Sequence, residues 1–593
     1  MELVYFWMEK FGTKKNQSIN FRQDYIFNVQ LEDGRYKLTF EESKNKIPKN
    51  YFGKNISNIS CIIGNNGSGK TSLIKKIFRL KHYSSKNLLD DNYILIFKEN
   101  SNIKIETNIK KEKIQSDFKV TIINTPSRNT KYIYFSNDFN PMNESHILNV
   151  FDISLKNKLS HNTLNYNTKK YLTGLDFITI LHEINSKDIA MFIIDDEEKF
   201  IEKIPYESLR KKLENIQTDG VLIYTLKEQF SKYEKTSSYK KVYSKINISK
   251  NKKLESFKEN FILNSWKYVS NLFAQDIENK SLNEEDIKIL NKRKNFEKLE
   301  EWFIKQLQFI DDIIKKYNDK MFEFKKFYSH LALERIFFER EFFFVFFPYI
   351  QEKYSENKMS INLPYSKNKE NIKKICNRYS IVYELLKFTF NNKFSNGEFI
   401  LLYLLKEIFN LKSNINLNGE GKNIIFFIEE MESFLHPEWQ RRIIELLKIV
   451  AENCPWLNNK KVQFILTSHT PLLVGDLPRG NIKKINNFSI EDLESNPFGD
   501  NLLNIFKTQF QLESLFSEHI RSKIKNYANK DGLSTEEREE LAFLIDNIEE
   551  KLIKENLEEL YNKFESKELK IKKLKKELAK LEGELSDKTE RIK

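Results

Sequence analysis

Apolar residues in this chain fall into short unbroken runs, each stopped by a polar or glycine-rich turn. Ile59-Ser60-Cys61-Ile62-Ile63 runs into Gly64, and Tyr132-Ile133-Tyr134-Phe135 into Ser136-Asn137-Asp138. Ile424-Ile425-Phe426-Phe427-Ile428 ends at Glu429-Glu430, and Val462-Gln463-Phe464-Ile465-Leu466 ends at Thr467-Ser468-His469. Runs this short, without alternation, predict strands buried on both faces, as in a parallel sheet. The opening Met1-Glu2-Leu3-Val4-Tyr5-Phe6-Trp7 predicts a further strand, lacking the basic stretch and small-residue cleavage site of a signal peptide. Ser72 to Phe78 and Phe399 to Leu405 predict helices.

The pattern changes along the chain and suggests four regions. Residues 1 to about 150 alternate strands and turns. Residues from about 151 to 385 are helix-biased and poor in Gly and Pro, so a helical insertion is expected. Residues 386 to 490 return to strand and helix in alternation. The remainder, 491 to 593, is expected to be helical. There Ile553, Leu557, Leu560, Phe564, Ile571, Leu574, Leu578, Leu581 and Leu585 recur at steps of three and four, with Lys567 in the one gap. This is a heptad seam of roughly four to five heptads, suited to a coiled coil or to an amphipathic helix on its own domain. Ser534 and Glu537 have the spacing of a capping box.

Composition narrows the class. With 593 residues, 40% hydrophobic and 31% charged, the chain can bury several cores. No apolar run reaches the roughly 18 residues of a membrane span; the densest patch, Phe342 to Pro348, is too short. Three cysteines, Cys61, Cys376 and Cys454, form no C-x-x-C pair, which argues against a disulfide framework or zinc site and for a reducing cytoplasm. The net charge of +14 permits DNA or RNA binding. Residues 231 to 256 interleave lysines with Tyr233, Tyr239 and Tyr243, a pattern open to two readings: a nucleic-acid contact or a solvated loop.

The chemistry begins at Gly64-Asn65-Asn66-Gly67-Ser68-Gly69-Lys70-Thr71, a full G-x-x-x-x-G-K-[ST] phosphate loop followed by Ser72. Its glycines let successive backbone N–H groups turn toward phosphate oxygens, and the following helix start adds partial positive charge. Lys70 suits the β- and γ-phosphates of ATP, and Thr71 suits Mg²⁺. Ser395-Asn396-Gly397-Glu398 opens an apolar helix and can present a hydroxyl and N–H groups to an anion. Glu429 and Glu430 end a strand: the first can hold Mg²⁺ through water, the second can polarise an attacking water. His469 ends another strand and can touch the γ-phosphate or that water.

In this order the segments resemble the ABC-type ATPases of the SMC and Rad50-like group. The resemblance implies an α/β P-loop head with a large helical insertion and a helical tail, binding ATP and Mg²⁺. It assigns Gly64 to Thr71 to the Walker A loop, Glu429 and Glu430 to the Walker B pair, Glu432 to Pro437 to the D-loop and His469 to the switch histidine. Glu429 stands where the group usually carries Asp. Ser395, Asn396, Gly397 and Glu398 take the signature position, which caps ATP held by a second subunit, so a homodimer or higher oligomer through the heads is implied. Asn137 or Ser136 takes the Q-loop position, with Asn137 a candidate toward the metal.

The run Glu429-Glu430-x-Glu432-x-x-Leu435-His436-Pro437-x-x-Gln440 and the run Thr467 to Pro471 look like the OLD and Septu-type ATPases of anti-phage defence, some of them retron-associated. In OLD proteins a TOPRIM nuclease follows; no matching acidic set is evident here, and the eight histidines are scattered. By analogy with Septu, a separate HNH-type nuclease partner is expected, with this chain as ATP-hydrolysing sensor. A RecF- or SMC-like repair ATPase and a scaffold holding structural ATP are the other readings. An ABC transporter subunit is disfavoured by the long insertion.

Overall fold

The computed structural model describes residues 1–80, 91–99, 102–123, 130–136, 150–154, 199–219, 394–414, 423–510, 517–530, 532–564 and 567–590. It also gives strand backbone at 221–226, 355–357, 360–364 and 386–390, and a few isolated positions. The chain divides into two compact units, Met1–Phe510 and Gln511–Lys593. The first unit runs past residue 490, taking in the end of the strand Ser489–Asp492 and the helix Leu502–Gln509.

The first unit is built on a seven-stranded sheet in the order β11-β10-β16-β17-β5-β18-β19. Its strands are β5 (Ile56–Ile63), β10 (Thr130–Ser136), β11 (Val150–Asp152), β16 (Asn423–Glu429), β17 (Lys461–Ser468), β18 (Ile482–Asn486) and β19 (Ser489–Asp492). All neighbours are parallel except the β18–β19 hairpin at one edge. Every residue of β16 is buried, which explains its unbroken apolar sequence. The register sets Ser136 beside Glu429, Glu429 beside Thr467, and Ser468 beside Ile63. Turns distant in sequence thus leave the sheet side by side at its carboxyl edge, where ligands bind in open parallel sheets.

A second sheet runs β2-β1-β6-β7-β9, formed by β1 (Glu2–Phe11), β2 (Lys14–Asn20), β6 (Tyr93–Glu99), β7 (Asn102–Thr107) and β9 (Val120–Ile123). A third, β3 (Tyr25–Glu32), β4 (Arg35–Glu42) and β8 (Ile114–Ser116), has the order β3-β4-β8. The strand β1 is buried on both sides. Leu3, Phe6 and Met8 enter a core with the helix Lys70–Arg79 and the central sheet, through Leu73, Ile77, Phe78, Tyr134, Phe427 and Ile465. Val4, Tyr5 and Trp7 enter a second core with Phe27, Tyr36 and Leu38 of the third sheet. A register shift between Leu3 and Tyr5 lets the consecutive Val4 and Tyr5 share one side.

The expected helical insertion is corrected in part. Among its described residues are the helices Phe200–Lys203 and Glu207–Asp219, but also a four-stranded antiparallel sheet. That sheet has the order β13-β14-β12-β15, from β12 (Val221–Leu226), β13 (Ser355–Asn357), β14 (Ser360–Pro364) and β15 (Leu386–Phe390). The β-branched and aromatic content of Val221-Leu222-Ile223-Tyr224 and Phe388-Thr389-Phe390 favours strands, and a helix-biased average over the whole segment hides it. Asn137, Cys376, the lysine–tyrosine stretch 231–256 and the Phe342–Pro348 patch lie outside the described residues.

The second unit contains the helices Glu518–Ala528, Thr535–Asn547, Lys551–Phe564 and Lys567–Glu590. Ser534 and Glu537 form the reciprocal capping box. Tyr527, Leu541, Leu544 and Leu557 make a small core, with Ile553 and Leu560 packed against it. The heptad seam is therefore divided: its first part closes this core, and Ile571, Leu574, Leu578 and Leu581 remain exposed on the last helix.

Candidate functional site

The phosphate loop leaves β5 at Gly64 and re-enters regular structure at the helix Lys70–Arg79. Gly64, Gly67 and Gly69 all have positive φ, and at Gly64 a Cβ would lie 2.3 Å from the Ile485 carbonyl oxygen. Only glycine fits this curl against β18. Asn65, Asn66 and Ser72 are exposed, and Ser68 is buried. A two-residue hairpin turn supports the loop from below: Asn487 and Phe488 both have positive φ, as the tight turn between β18 and β19 requires. Phe488 N–H donates to the Ser68 carbonyl at 2.9 Å, and its ring sits where a Cβ on Gly69 would meet it at 2.8 Å.

Lys70 is 5% exposed. Its Nζ donates to the Gly64 and Asn65 carbonyls at 3.0 and 3.3 Å. It lies 2.6 Å from His469 Nε2 and 3.9 Å from Glu430 Oε1. His469 Nε2 lies 2.8 Å from Glu430 Oε1. The hydrogen bond to His469, opposed by partial burial and reinforced by the charges of His469 and Lys70, holds the Glu430 carboxyl below its usual range. Burial lowers Lys70 despite the attraction of three glutamates. Glu430 has φ +46, a left-handed backbone that costs a non-glycine residue about 1 to 2 kcal/mol. Its amide is held by Thr467 O at 3.1 Å, and its carbonyl accepts Ser433 Oγ at 2.8 Å. The strained turn fixes the carboxylate over Lys70.

Glu429, one residue earlier, has different partners. Its Oε2 accepts Tyr134 Oη at 2.8 Å and Thr71 Oγ1 at 3.3 Å. Its Oε1 is buried without a hydrogen-bond partner. Burial raises this carboxyl to about 7, against the two hydrogen bonds. A buried carboxylate oxygen left unsatisfied beside a threonine hydroxyl, below a glycine cradle, fits Mg²⁺ with a triphosphate. Asn137 follows Ser136, which ends β10 next to Glu429 in register.

The segment Ser395 to Glu398, expected to be the signature, is organised by a capping box. Ser395 N–H donates to Glu398 Oε2 at 2.7 Å, and Glu398 N–H to Ser395 Oγ at 3.3 Å. Glu398 also pairs with Lys212 at 2.8 Å. Ser395 and Asn396 are exposed, Gly397 and Glu398 buried. A Cβ on Gly397 would lie 2.3 Å from the Phe434 carbonyl oxygen, so the glycine allows the helix start to rest on the turn after β16. Lys70, Thr71, Glu429, Glu430 and His469 thus form one cluster, while Ser395 to Glu398 pack on the Glu432–Pro437 turn.

Four contributors were not evident from sequence: Tyr134, Phe488, Glu432 as a hydrogen-bonding centre, and Gln440. Glu432 accepts Ser468 Oγ at 2.6 Å and His469 N–H at 2.9 Å. Gln440 donates to Leu435 O at 2.9 Å and accepts Thr470 Oγ1 at 2.8 Å. Glu432 and Gln440 do stand within a motif run; Tyr134 and Phe488 carry no signal short of the fold.

The fold and this cluster define a P-loop ATPase with a mixed α/β core. Comparison with known proteins agrees. Residues 194–475 match the family described as "AAA domain, putative AbiEii toxin, Type IV TA system". That span includes Ser395 to Glu398, Glu429, Glu430 and His469. The chain is also 24% identical over 510 residues to "Retron Vc95 probable ATPase" of Vibrio cholerae serotype O1 biovar El Tor, covering 81% of this chain and 80% of the relative. The chain is thus similar, over residues 194–475, to an AAA domain, and over most of its length to a retron-associated probable ATPase. No helix among the described residues is long and apolar enough to cross a membrane.

Proposed function

We propose that this protein binds and hydrolyses ATP as the sensor subunit of an anti-phage defence complex and controls a separate nuclease. The carrying observation is the meeting of Lys70, Glu430 and His469 within 2.6 to 3.9 Å at the ends of adjacent parallel strands. Lys70 and the loop amides would hold the β- and γ-phosphates, and Thr71 and Glu429 would hold Mg²⁺; Asn137, outside the described residues, is the further candidate ligand. Bound Mg²⁺ neutralises charge on the transferring phosphoryl group. Glu430, kept ionised, orients a water, and His469 positions that carboxylate. Ser395, Asn396 and the half-exposed Phe434 face outward, where a second head would meet them.

Nucleotide state has a physical route into the insertion. Lys212 grips Glu398, and Tyr206 stacks on Trp439 at 4.5 Å with rings 17° apart. The segment 199–219 therefore touches both the signature helix and the helix after the Walker B strand. The names of the family and of the retron relative support the defence reading, and the Septu-like motif runs support an HNH-type nuclease partner in the cytoplasm.

Steady-state hydrolysis by the purified chain tests the first half. Lys70→Ala is expected to abolish turnover. Glu430→Gln is expected to bind ATP, lose hydrolysis by at least a hundredfold and accumulate the closed head pair. Glu430→Gln turning over at the parent rate would refute the assignment. For the second half, DNA cleavage should require the nuclease encoded beside this chain and respond to both substitutions.

A further inference from the structure

Tyr134 stands two residues before the end of β10 and is the register partner of Phe427 on β16. Side chains two apart on a strand share a face, so Phe427, Glu429 and Tyr134 lie on one side of the sheet. The helix Lys70–Arg79, which follows the phosphate loop, covers that side. The Tyr134 ring meets Phe78 of this helix edge-on at 5.6 Å, and Phe78 meets Phe427 at 5.0 Å. The ring is buried and has no room to turn away. Held in this way it reaches diagonally along the sheet, and its Oη donates to Glu429 Oε2 at 2.8 Å.

The two oxygens of Glu429 are therefore unequal. Oε2 takes both Tyr134 Oη and Thr71 Oγ1, whereas Oε1 is buried and takes neither. The last torsion of a glutamate is broad and two-fold, so an unanchored carboxylate exchanges its oxygens freely. A donor fixed on one of them ends that equivalence. The distinction matters for the kind of ion the carboxylate can serve. Mg²⁺ demands near-octahedral geometry, whereas the larger Ca²⁺ accepts both oxygens of one carboxylate.

We propose that Tyr134 is a positioning residue that makes the site selective for Mg²⁺ over larger divalent ions. Its hydroxyl occupies Oε2 of Glu429, so that Oε1 alone is offered and two-oxygen coordination is refused. This rests on the reading of Glu429 and Thr71 as the groups that hold Mg²⁺. The packing of Phe78 on Tyr134 makes the helix that carries Thr71 also the support of the anchoring ring.

Tyr134→Phe keeps the ring and deletes the donor. Anisotropy of a fluorescent, non-hydrolysable ATP analogue on the full-length protein, titrated with Mg²⁺ or with Ca²⁺, reads ion affinity without turnover. Melting curves of the same samples check that the variant is folded. Tyr134→Phe is expected to weaken Mg²⁺ by about ten- to a hundredfold, as loss of a partner behind a metal ligand does. Ca²⁺ should stay within about threefold of the parent, so the preference for Mg²⁺ falls. In a Glu429→Gln background the same change should move neither ion by more than about twofold, because the group it positions is gone. An unchanged Mg²⁺ preference, or an equal loss for both ions with a lower melting temperature, would leave Tyr134 a core residue and overturn the proposal. A parent that binds the analogue equally with and without Mg²⁺ gives a different result: the reading of Glu429 and Thr71 then fails, and the role of Tyr134 with it.

Discussion

Ser468 Oγ donates to Glu432 Oε1 across 2.6 Å, and the same carboxylate oxygen accepts the His469 N–H at 2.9 Å. The Glu432–Pro437 turn is thereby tied to the strand end that presents His469, and Gln440 adds a second tie through Thr470 at 2.8 Å. Because Gly397 rests on Phe434 of that turn, the start of the helix Asn396–Asn414 is connected to His469 and Glu430 by a few short, directional contacts.

Removing the first tie should slow chemistry more than it weakens binding. Glu432→Ala deletes two hydrogen bonds to a buried carboxyl, each worth about 1.5 to 3 kcal/mol when the carboxyl is charged. Burial raises this carboxyl's pKa, which brings the effect toward the lower end. We expect kcat to fall about ten- to a hundredfold with KM for ATP within about threefold, and Glu432→Gln to lie between. A drop in melting temperature with kcat intact under folded conditions would reduce Glu432 to a structural role.

The Glu429 carboxyl makes a prediction with a definite sign. Its folded value of about 7 stands above the ordinary 4.5, so the native state holds more protons than the unfolded state between these values. Its contribution to stability is full below about pH 4.5 and is lost as pH rises through about 7. Without nucleotide or Mg²⁺, Glu429→Gln should therefore be more stable than the parent at pH 8, by roughly 2 kcal/mol. The difference should close as pH falls toward 5. Denaturant melts of both proteins at three pH values measure it. An advantage that is constant with pH would mean the carboxyl is not buried as described.

Much of this was legible in the chain because parallel strands write their burial as unbroken apolar runs. Ile59–Ile63, Ile424–Ile428 and Val462–Leu466 predict three central strands, and the residues that follow them carry the chemistry. Strand order was not legible: the adjacency of Ser468 to Ile63 is a register between segments some 400 residues apart in sequence. Tyr134 reads as core until β10 is set beside β16. The S-x-G-E motif reads as an anion site, yet part of its pattern is spent on a capping box and on close approach to Phe434. The sheet β12–β15 was missed because its strands are short and widely separated within a helix-rich average.

The signature segment separates two roles by substitution. Gly397→Ala puts a Cβ 2.3 Å from the Phe434 carbonyl oxygen, a backbone contact that cannot swing aside. We expect a loss of about 1 to 3 kcal/mol in stability together with a fall in ATP turnover. Ser395→Ala removes an exposed N-cap and should cost about 1 kcal/mol. If Ser395 also caps a partner's nucleotide, turnover will fall much further than that stability change explains. Melting curves and ATPase rates measured on both variants decide between the two.

Phe488 tests whether the hairpin turn supports the phosphate loop. Its ring packs edge-on against Phe11 at 5.3 Å and under Gly69, while its N–H holds Ser68 O. Phe488→Ala keeps the N–H and deletes the ring. Loss of this half-buried contact should cost about 1 to 3 kcal/mol and let the loop relax, raising KM for ATP about tenfold with kcat within about twofold. Phe488→Gly deletes the same ring, but at φ +63 glycine avoids the left-handed penalty that alanine bears, about 1 kcal/mol. Glycine should therefore melt above alanine at this position, reversing the order expected for any site with an ordinary extended or helical backbone. If alanine is the more stable of the two, the turn does not hold the conformation on which the support of Gly69 depends.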